Sequence, residues 1–402
     1  VVEIEILTSD RDPVLARTTS FRSWFGSQAP VAARRLSVDY PSSLALRYVA
    51  RGEVPEPVQA LSKGRVRLSF AADNIVGTRD FEHYVPRDAV PLSYIEFGSG
   101  DSWASVSASY AAVVEPLLSA DDVSAWAKEA LAGLPAGSDK KGDAAIGAVL
   151  LRLRKEIRYT GVNFGENAII PHKPSETISR GYGDCKDQAS LLAAALRSLG
   201  VDARLALLNA GGDIDPRPET PGIGLFDHCI VYLPARDLWL DPTALYYPGF
   251  SLPAGDEGRL ALVIAPDTKA LKLTSDRGSA GASVSELREY KLAPTGAAGL
   301  VETSHFTGGL EAYYKNNFAG ADEKKVREQL ERYVKSAYDA KKLESCSVKS
   351  ASSHDEPFEL VVAASGCALA TTEYSYASAV LKTGGLVDFL PDELTVSKDA
   401  KA

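Results

Sequence analysis

The run from Cys185 to Leu199, CKDQASLLAAALRSL, most constrains what this chain can fold into. Leu191, Leu192, Ala195, Leu196 and Leu199 recur at helical spacing, and Gly200 follows as a C-terminal cap. Two strand-like segments come directly behind it, Ala203–Leu208 (ARLALL) and Phe226–Leu233 (FDHCIVYL). A third, DLWL, ends at Asp241-Pro242. A helix needing cover for one face, followed by β-branched and aromatic strands, points to an α+β core.

The texture changes on both sides of this core. Before Ser102 no long helical period occurs. Leu44–Tyr48 and Val66–Phe70 alternate as strands do and are bounded by turn residues. Residues 1–100 are therefore expected to form a β-rich, sandwich-like domain. Helices are expected from Ser102 (Trp103, Val106, Tyr110 and Val113 on one stripe), after the acidic cap Ser119–Asp122, and over Lys140–Ile157. The stretch from Arg158 to Gln188 reads as a loop up to the helix that begins at Cys185. From Leu287 the pattern is again β-rich, with one helix capped by Asp322 and striped by Val326, Leu330, Tyr333, Val334 and Ala337. Three domains follow: 1–100, 101–280 and 281–402.

Composition excludes several classes. The net charge is −9, with no dense Lys/Arg cluster, so a nucleic-acid or anionic-membrane partner is not expected. No apolar run approaches the roughly 18 residues of a membrane-spanning helix. None of the five histidines pairs at metal-ligand spacing, so neither zinc nor another cofactor is implied. The acidic residues Asp213, Asp215 and Glu219 read as a solvated loop, with calcium binding as the alternative. Cys346 and Cys367 flank a strand–loop–strand and read either as a disulfide or as two packed thiols. The chain opens VVEIEI, alternating as a strand does, and contains no methionine; both fit a processed protein or a fragment.

Cys185 is the unusual cysteine. It stands among Asp184, Lys186 and Asp187 at the start of the helix, where free N–H groups and the helix dipole favour a thiolate. Its own N–H can serve as half of an oxyanion hole. A thiolate needs a base. Alternation in FDHCIVYL puts His228 on one face with Phe226 and Ile230, and turns Cys229 to the other, as a small buried hydrophobe. An antiparallel hairpin would bring Asp241 to His228. Cys185, His228 and Asp241 thus form a candidate nucleophile, base and orienter. Taken singly, a strand histidine is more often a core residue, and an Asp before Pro more often a turn residue.

The segments RYTGVNFG, PHKPSETISRGYGDCKDQASLLAAALRSLGVDARLALL, LFDHCIVYL and LWLDPT together resemble the transglutaminase-like superfamily of papain-type cysteine enzymes. More closely, they resemble its bacterial branch in which a β-rich domain of unknown function precedes the core. The resemblance is strongest over Tyr159–Thr243. It implies that Cys185 is the nucleophile, His228 the general base and acid, and Asp241 the orienter. It also implies a bacterial envelope location, periplasmic or secreted. Gly181 departs from the Arg or Lys more usual there, which would loosen the loop before the nucleophile. Many relatives supply a second oxyanion donor from a side chain; Asn163 and Asn167 are the candidates, and His172 is a candidate groove residue.

The expected activity is acyl transfer on amide bonds of a protein or peptide through a thioester. Hydrolysis is favoured over transamidation because it needs no second substrate site. The alternative is a non-enzymatic envelope scaffold that binds peptides with the same fold.

Overall fold

A computed structural model describes residues 14–77, 92–119, 123–161, 165–211, 214–276, 281–354 and 356–380. The strand expected at Val1–Ile6 and the acids of the cap at Asp121-Asp122 lie outside them. The chain divides into two compact units, Val1–Ala244 with Ala254–Asp276, and Leu245–Pro253 with Arg277–Ala402.

The first unit begins with six strands: β1 (Ser20–Trp24), β2 (Val31–Pro41), β3 (Arg47–Arg51), β4 (Val58–Ser62), β5 (Arg65–Ile75) and β6 (Tyr94–Gly98). They form two antiparallel sheets, β1-β6-β3 and β2-β5-β4. Alternation along β5 turns Val66, Leu68 and Phe70 inward, where they meet Ile95 and Phe97 of β6. The Phe70 and Phe97 rings pack edge to face with centroids 6.1 Å apart. This is the sandwich-like core expected of the first hundred residues. The strand expected at Leu44 starts later, at Arg47, because Leu44 N–H bonds back to Pro41 and closes a turn.

Helices α1 (Trp103–Val114), α2 (Ser124–Ala130) and α3 (Asp143–Glu156) follow. Ser102 caps α1 in a reciprocal box with Ser105. The short strands β7 (Arg158–Tyr159) and β8 (Tyr182–Gly183) pair in parallel and bracket α4 (Pro174–Arg180). That helix replaces part of the expected loop. Pro174 sits at its first turn, where a missing N–H costs nothing, and Gly181 ends it.

Next comes α5 (Cys185–Ser198), and then β9 (Arg204–Leu208), β10 (His228–Leu233), β11 (Leu238–Leu240), β12 (Leu260–Val263) and β13 (Lys272–Leu273). These strands build one antiparallel sheet in the order β11-β10-β9-β12-β13. The sequence marks one apolar stripe on α5, yet every residue from Lys186 to Leu196 is buried. The helix is central, touched by α2, α3 and α4 as well as by β9 and β10. Its alanines leave room for close neighbours on the faces that periodicity reads as polar.

The β-rich region and the sheet share one unit through a buried carboxylate. Glu96 of β6 pairs with Arg22 of β1 at 2.7 Å. It also accepts from Arg217 N–H at 2.7 Å and from the Thr220 hydroxyl. Trp103 Nε1 donates to the Pro218 carbonyl at 2.9 Å. The loop that leads into β10 is therefore fixed from the N-terminal side, and the expected boundary at residue 100 falls inside this unit.

The second unit contains β14 (Ser283–Lys291), β15 (Gly296–Thr307), α6 (Gly308–Phe318), α7 (Glu323–Tyr338), β16 (Lys342–Lys349), β17 (Glu359–Glu373) and β18 (Tyr376–Ala379). The strands form an antiparallel sheet ordered β14-β15-β17-β16, with β18 paired to β17. Asp322 caps α7, whose Leu330, Val334 and Tyr338 pack on Leu343, Leu360 and Val362. Two helices stand where one is expected. The segment GGLEAYYKNNF starts with glycines and carries an Asn pair, all weak helix formers. Tertiary contacts form the helix nonetheless, with Tyr314 stacked on Phe306 at 3.9 Å between centroids. Cys346 and Cys367 are free thiols. In register, Cys346 lies opposite Val362 on one side of β17, while Cys367 lies opposite Ala298 on the other, so they do not face each other. Among the described residues no helix is long and apolar enough to cross a membrane.

Candidate active site

Cys185 is the first residue of α5, and its neighbours explain why the helix starts there. Asp184 is the N-cap: its side chain accepts from Asp187 N–H, and the Asp187 side chain accepts from Asp184 N–H, each at 3.3 Å. Asp184 is also ion-paired with the buried Lys186 ammonium. The other oxygen of Asp187 accepts from His172 N–H at 2.8 Å, and the His172 ring lies 3.1 Å from the same carboxylate. Both acids that flank the thiol are thus committed, Asp184 to a backbone N–H and the Lys186 ammonium, Asp187 to two backbone N–H groups and the His172 ring. His172 serves this tether and does not line the groove.

The glycines hold the same turn. Gly181 adopts φ +67°, and its N–H bonds back to α4, so it tightens the approach to the nucleophile rather than loosening it. A Cβ on Gly183 would stand 2.6 Å from the Asp187 Cβ, closer than real contacts allow.

β10 begins at His228, and β11 pairs with it so that Val231 faces Leu240. Asp241, one residue beyond, is thereby carried to the start of β10. His228 Nε2 lies 3.3 Å from Asp241 Oδ2. The same ring is hydrogen-bonded to Cys185. Asp241 is buried; its Oδ1 accepts from Thr243 N–H at 2.7 Å and from the Thr243 hydroxyl at 2.8 Å. The buried Arg154 of α3 donates to the Asp241 carbonyl at 2.9 Å. LWLDPT is therefore a strand end that fixes its aspartate from three sides.

The electrostatics follow from these contacts. Burial alone would lower the His228 pKa. The hydrogen bonds to Asp241 and then to Cys185, with the charges of Asp241 and Asp256, outweigh it and push it up to about 11. Burial would raise Asp241, but His228 and Thr243 hold it below the usual carboxylate range. Asp256, from the turn before β12, has no counterpart in the sequence reading. This carboxyl is buried with its Oδ2 4.0 Å from His228 Nε2. No spacing signal marks it. His228, Asp241 and Asp256 place donor atoms within 4.8 Å of one another, the only cluster of three among the described residues. The imidazole and Asp241 satisfy each other directly in it.

A cavity of about 400 Å³ opens over Cys185 and His228. Tyr110, Tyr159, Ile169, Leu207, Ile223 and Phe226 supply the apolar part of its wall, and Asp184, Lys186 and Asp227 the polar part. The Tyr110 hydroxyl is committed to the Ile169 carbonyl at 2.9 Å. Tyr159 is half exposed, and its hydroxyl is raised above its ordinary pKa by burial and then by Cys185. Cys229 is buried as expected, but it lines this same cavity, which wraps around the start of β10. Burial pushes its thiol far up. Of the candidate oxyanion residues, Asn163 lies outside the described residues, and Asn167, in the 165–168 turn, is not part of the cavity wall. Asp213 also lies outside them. Asp215 pairs with Arg259 at 2.9 Å and Glu219 with Arg51 at 3.8 Å, so the acidic loop is tied to cations of the protein itself.

A cysteine at a helix N-terminus, facing a strand-borne histidine backed by a carboxylate, is the arrangement of papain-type folds. Residues 129–225 match the model of the transglutaminase-like superfamily. The match ends just before β10, so it contains Cys185 but neither His228 nor Asp241. A crystal structure of a candidate protease from Parabacteroides distasonis shares the fold at a TM-score of 0.50 and 10% identity, over 87% of this chain and 69% of that one. A candidate cysteine protease from Cytophaga hutchinsonii is 14% identical over 64% of this chain and 89% of that one, at a TM-score of 0.26. No curated protein matches the chain.

Proposed function

We propose that this chain is a cysteine-dependent acyl-transfer enzyme acting on amide bonds of a peptide or protein. The observation that carries the reading is the His228 ring, held between Cys185 and Asp241 where the cavity opens. His228, charged through neutral pH, holds the proton in place of the sulfur, and the Cys185 thiolate attacks the amide carbonyl. The oxyanion that forms meets Cys185 N–H, which has no partner within α5 because it belongs to the first turn. The Tyr159 hydroxyl is the side-chain donor that the wall offers. His228 gives its proton to the departing amine, the C–N bond breaks, and a thioester remains on Cys185. Water then attacks the thioester carbonyl, passing a proton to His228 and releasing the acid and the free thiol. Hydrolysis is favoured over transfer to an amine because one open cavity serves both substrate and water.

The reading is tested by iodoacetamide at near-neutral pH. Stoichiometric labelling mapped to Cys185 by mass spectrometry and abolished in His228→Ala is the expected result. Labelling indifferent to His228→Ala would remove the pair from the mechanism. Glutamine peptides incubated with wild type and with Cys185→Ala then separate hydrolysed from cross-linked products.

A further inference from the structure

Asp256 is a buried titratable group beside His228 that the mechanism leaves unused, and its surroundings are specific. Its turn is held by Thr274, whose hydroxyl donates to the Asp256 carbonyl at 2.5 Å while accepting Arg259 N–H at 2.9 Å. Gly255 lies so close to the Ala210 carbonyl that a Cβ would stand 2.8 Å from that oxygen. The carboxyl is 2% exposed. The charged groups that face it are Asp241 at the end of β11, His228 at the start of β10 and Asp227 just before it. Arg154 of α3 lies behind Asp241 and donates to its carbonyl. Asp256 Oδ2 has no hydrogen-bond partner, and one oxygen of each carboxyl, Asp256 and Asp241, lies within 4.8 Å of the other.

Two buried carboxyls this close cannot both ionise readily, and a proton on one lets it bond to the other. Asp241 receives His228, Thr243 N–H and the Thr243 hydroxyl, so it keeps the charge. Asp256 receives no donor at Oδ2 and takes the proton. We propose that Asp256 is a positioning residue of this site, a neutral acid that donates a hydrogen bond to Asp241 and holds that carboxylate against His228 Nε2. The inference rests on the roles given above to His228 and Asp241. Burial and the neighbouring Asp241 push Asp256 up to about 8. Above that pH the proton leaves. Two negative charges then lie beside His228, Asp241 loses its anchor, and the imidazolium holds its proton more tightly against the departing amine.

The test uses the full chain and two readouts. In infrared spectra, wild type at pH 6 shows a protonated-carboxyl C=O band that fades as pH rises through about 8 and is absent in Asp256→Asn. In Cys185 labelling followed from pH 6 to 10, Asp256→Ala slows the reaction at pH 7 about tenfold, the scale of one lost hydrogen bond to a charged group. Asp256→Asn, whose amide still donates to Asp241, recovers most of that rate but shows no transition near pH 8. Identical profiles for all three proteins, or no infrared band assignable to Asp256, would overturn the proposal. So would stoichiometric Zn²⁺ binding that is lost in Asp256→Asn. If His228→Ala labels as wild type does, the acyl-transfer reading fails, and the infrared band still reports on Asp256 by itself.

Discussion

Replacing Asp241 by Asn isolates what the carboxylate does. The substitution preserves shape, since the amide oxygen still accepts the two Thr243 donors and the NH₂ group turns to His228 Nε2. It removes the charge and presents a donor where the ring needs an acceptor. The difference between an ordinary imidazole near 6.5 and about 11 is roughly 6 kcal/mol between protonation states, at about 1.4 kcal/mol per unit. Asp241 is the largest contributor among those that raise His228. Without it, burial acts against the charged ring, and the protonation midpoint falls to the unperturbed region or below. NMR of ¹⁵N-labelled imidazole reads this directly. Wild-type His228 stays charged through neutral pH, and in Asp241→Asn it titrates near or below neutrality. Turnover falls by about 10³–10⁴, the scale of a histidine held in the wrong tautomer. The folded-state pKa of His228 is raised. Its stabilisation is therefore complete below about 6.5 and is lost as pH rises toward about 11. Urea unfolding of wild type between pH 6.5 and 10 shows that loss, and Asp241→Asn does not. A midpoint that stays above about 9 in the variant would refute the assignment of Asp241 as the group that charges His228.

Gly183→Ala forces a Cβ into Asp187 and breaks the capping box, with an expected cost of about 1–3 kcal/mol in urea unfolding and slower Cys185 labelling. Tyr159→Phe leaves labelling of Cys185 intact but lowers turnover about 10²-fold, as loss of an oxyanion donor does; unchanged turnover would exclude the phenol. Asp256→Asn raises stability at neutral pH. The native carboxyl keeps its proton up to about 8 whereas the unfolded one loses it near 3.8, so the wild-type fold weakens as pH rises across that interval. Denaturation midpoints of the two proteins should converge below about pH 4 and separate up to about pH 8.

The core helix, the strands and the Cys185–His228–Asp241 geometry were legible because each is a local pattern. Helical spacing behind Cys185, alternation in FDHCIVYL and a hairpin-length return to LWLD together bring three side chains to one place. The capping box was half visible. Asp184 and Asp187 read as charges opposed to a thiolate, and only the structure shows them bonded to each other's N–H groups. α4 was missed because seven residues give too little periodicity. Asp256 was missed because nothing local separates a buried turn carboxyl from an exposed one; its burial follows from Asp241 and His228, which lie on other strands. Of the oxyanion candidates, Asn163 lies outside the described residues. Asn167 was chosen for its chemistry, whereas lining the cavity depends on how the chain turns at residues 165–168.

The Glu96 knot has a consequence for how this protein can be divided. It closes chain loops of 74 residues to Arg22 and 124 residues to Thr220, contacts that form late in folding because distant segments must first meet. A fragment cut to residues 129–225 would carry the nucleophile, but Arg217 and Thr220 would lose their acceptor and Trp103 would be gone from Pro218. The full-length chain without the Glu96 carboxylate would strand the buried Arg22 guanidinium instead, at about 3–5 kcal/mol. The segment that defines the family is therefore shorter than the segment that folds. A fragment cut at the bounds of the family match would return insoluble material for this reason.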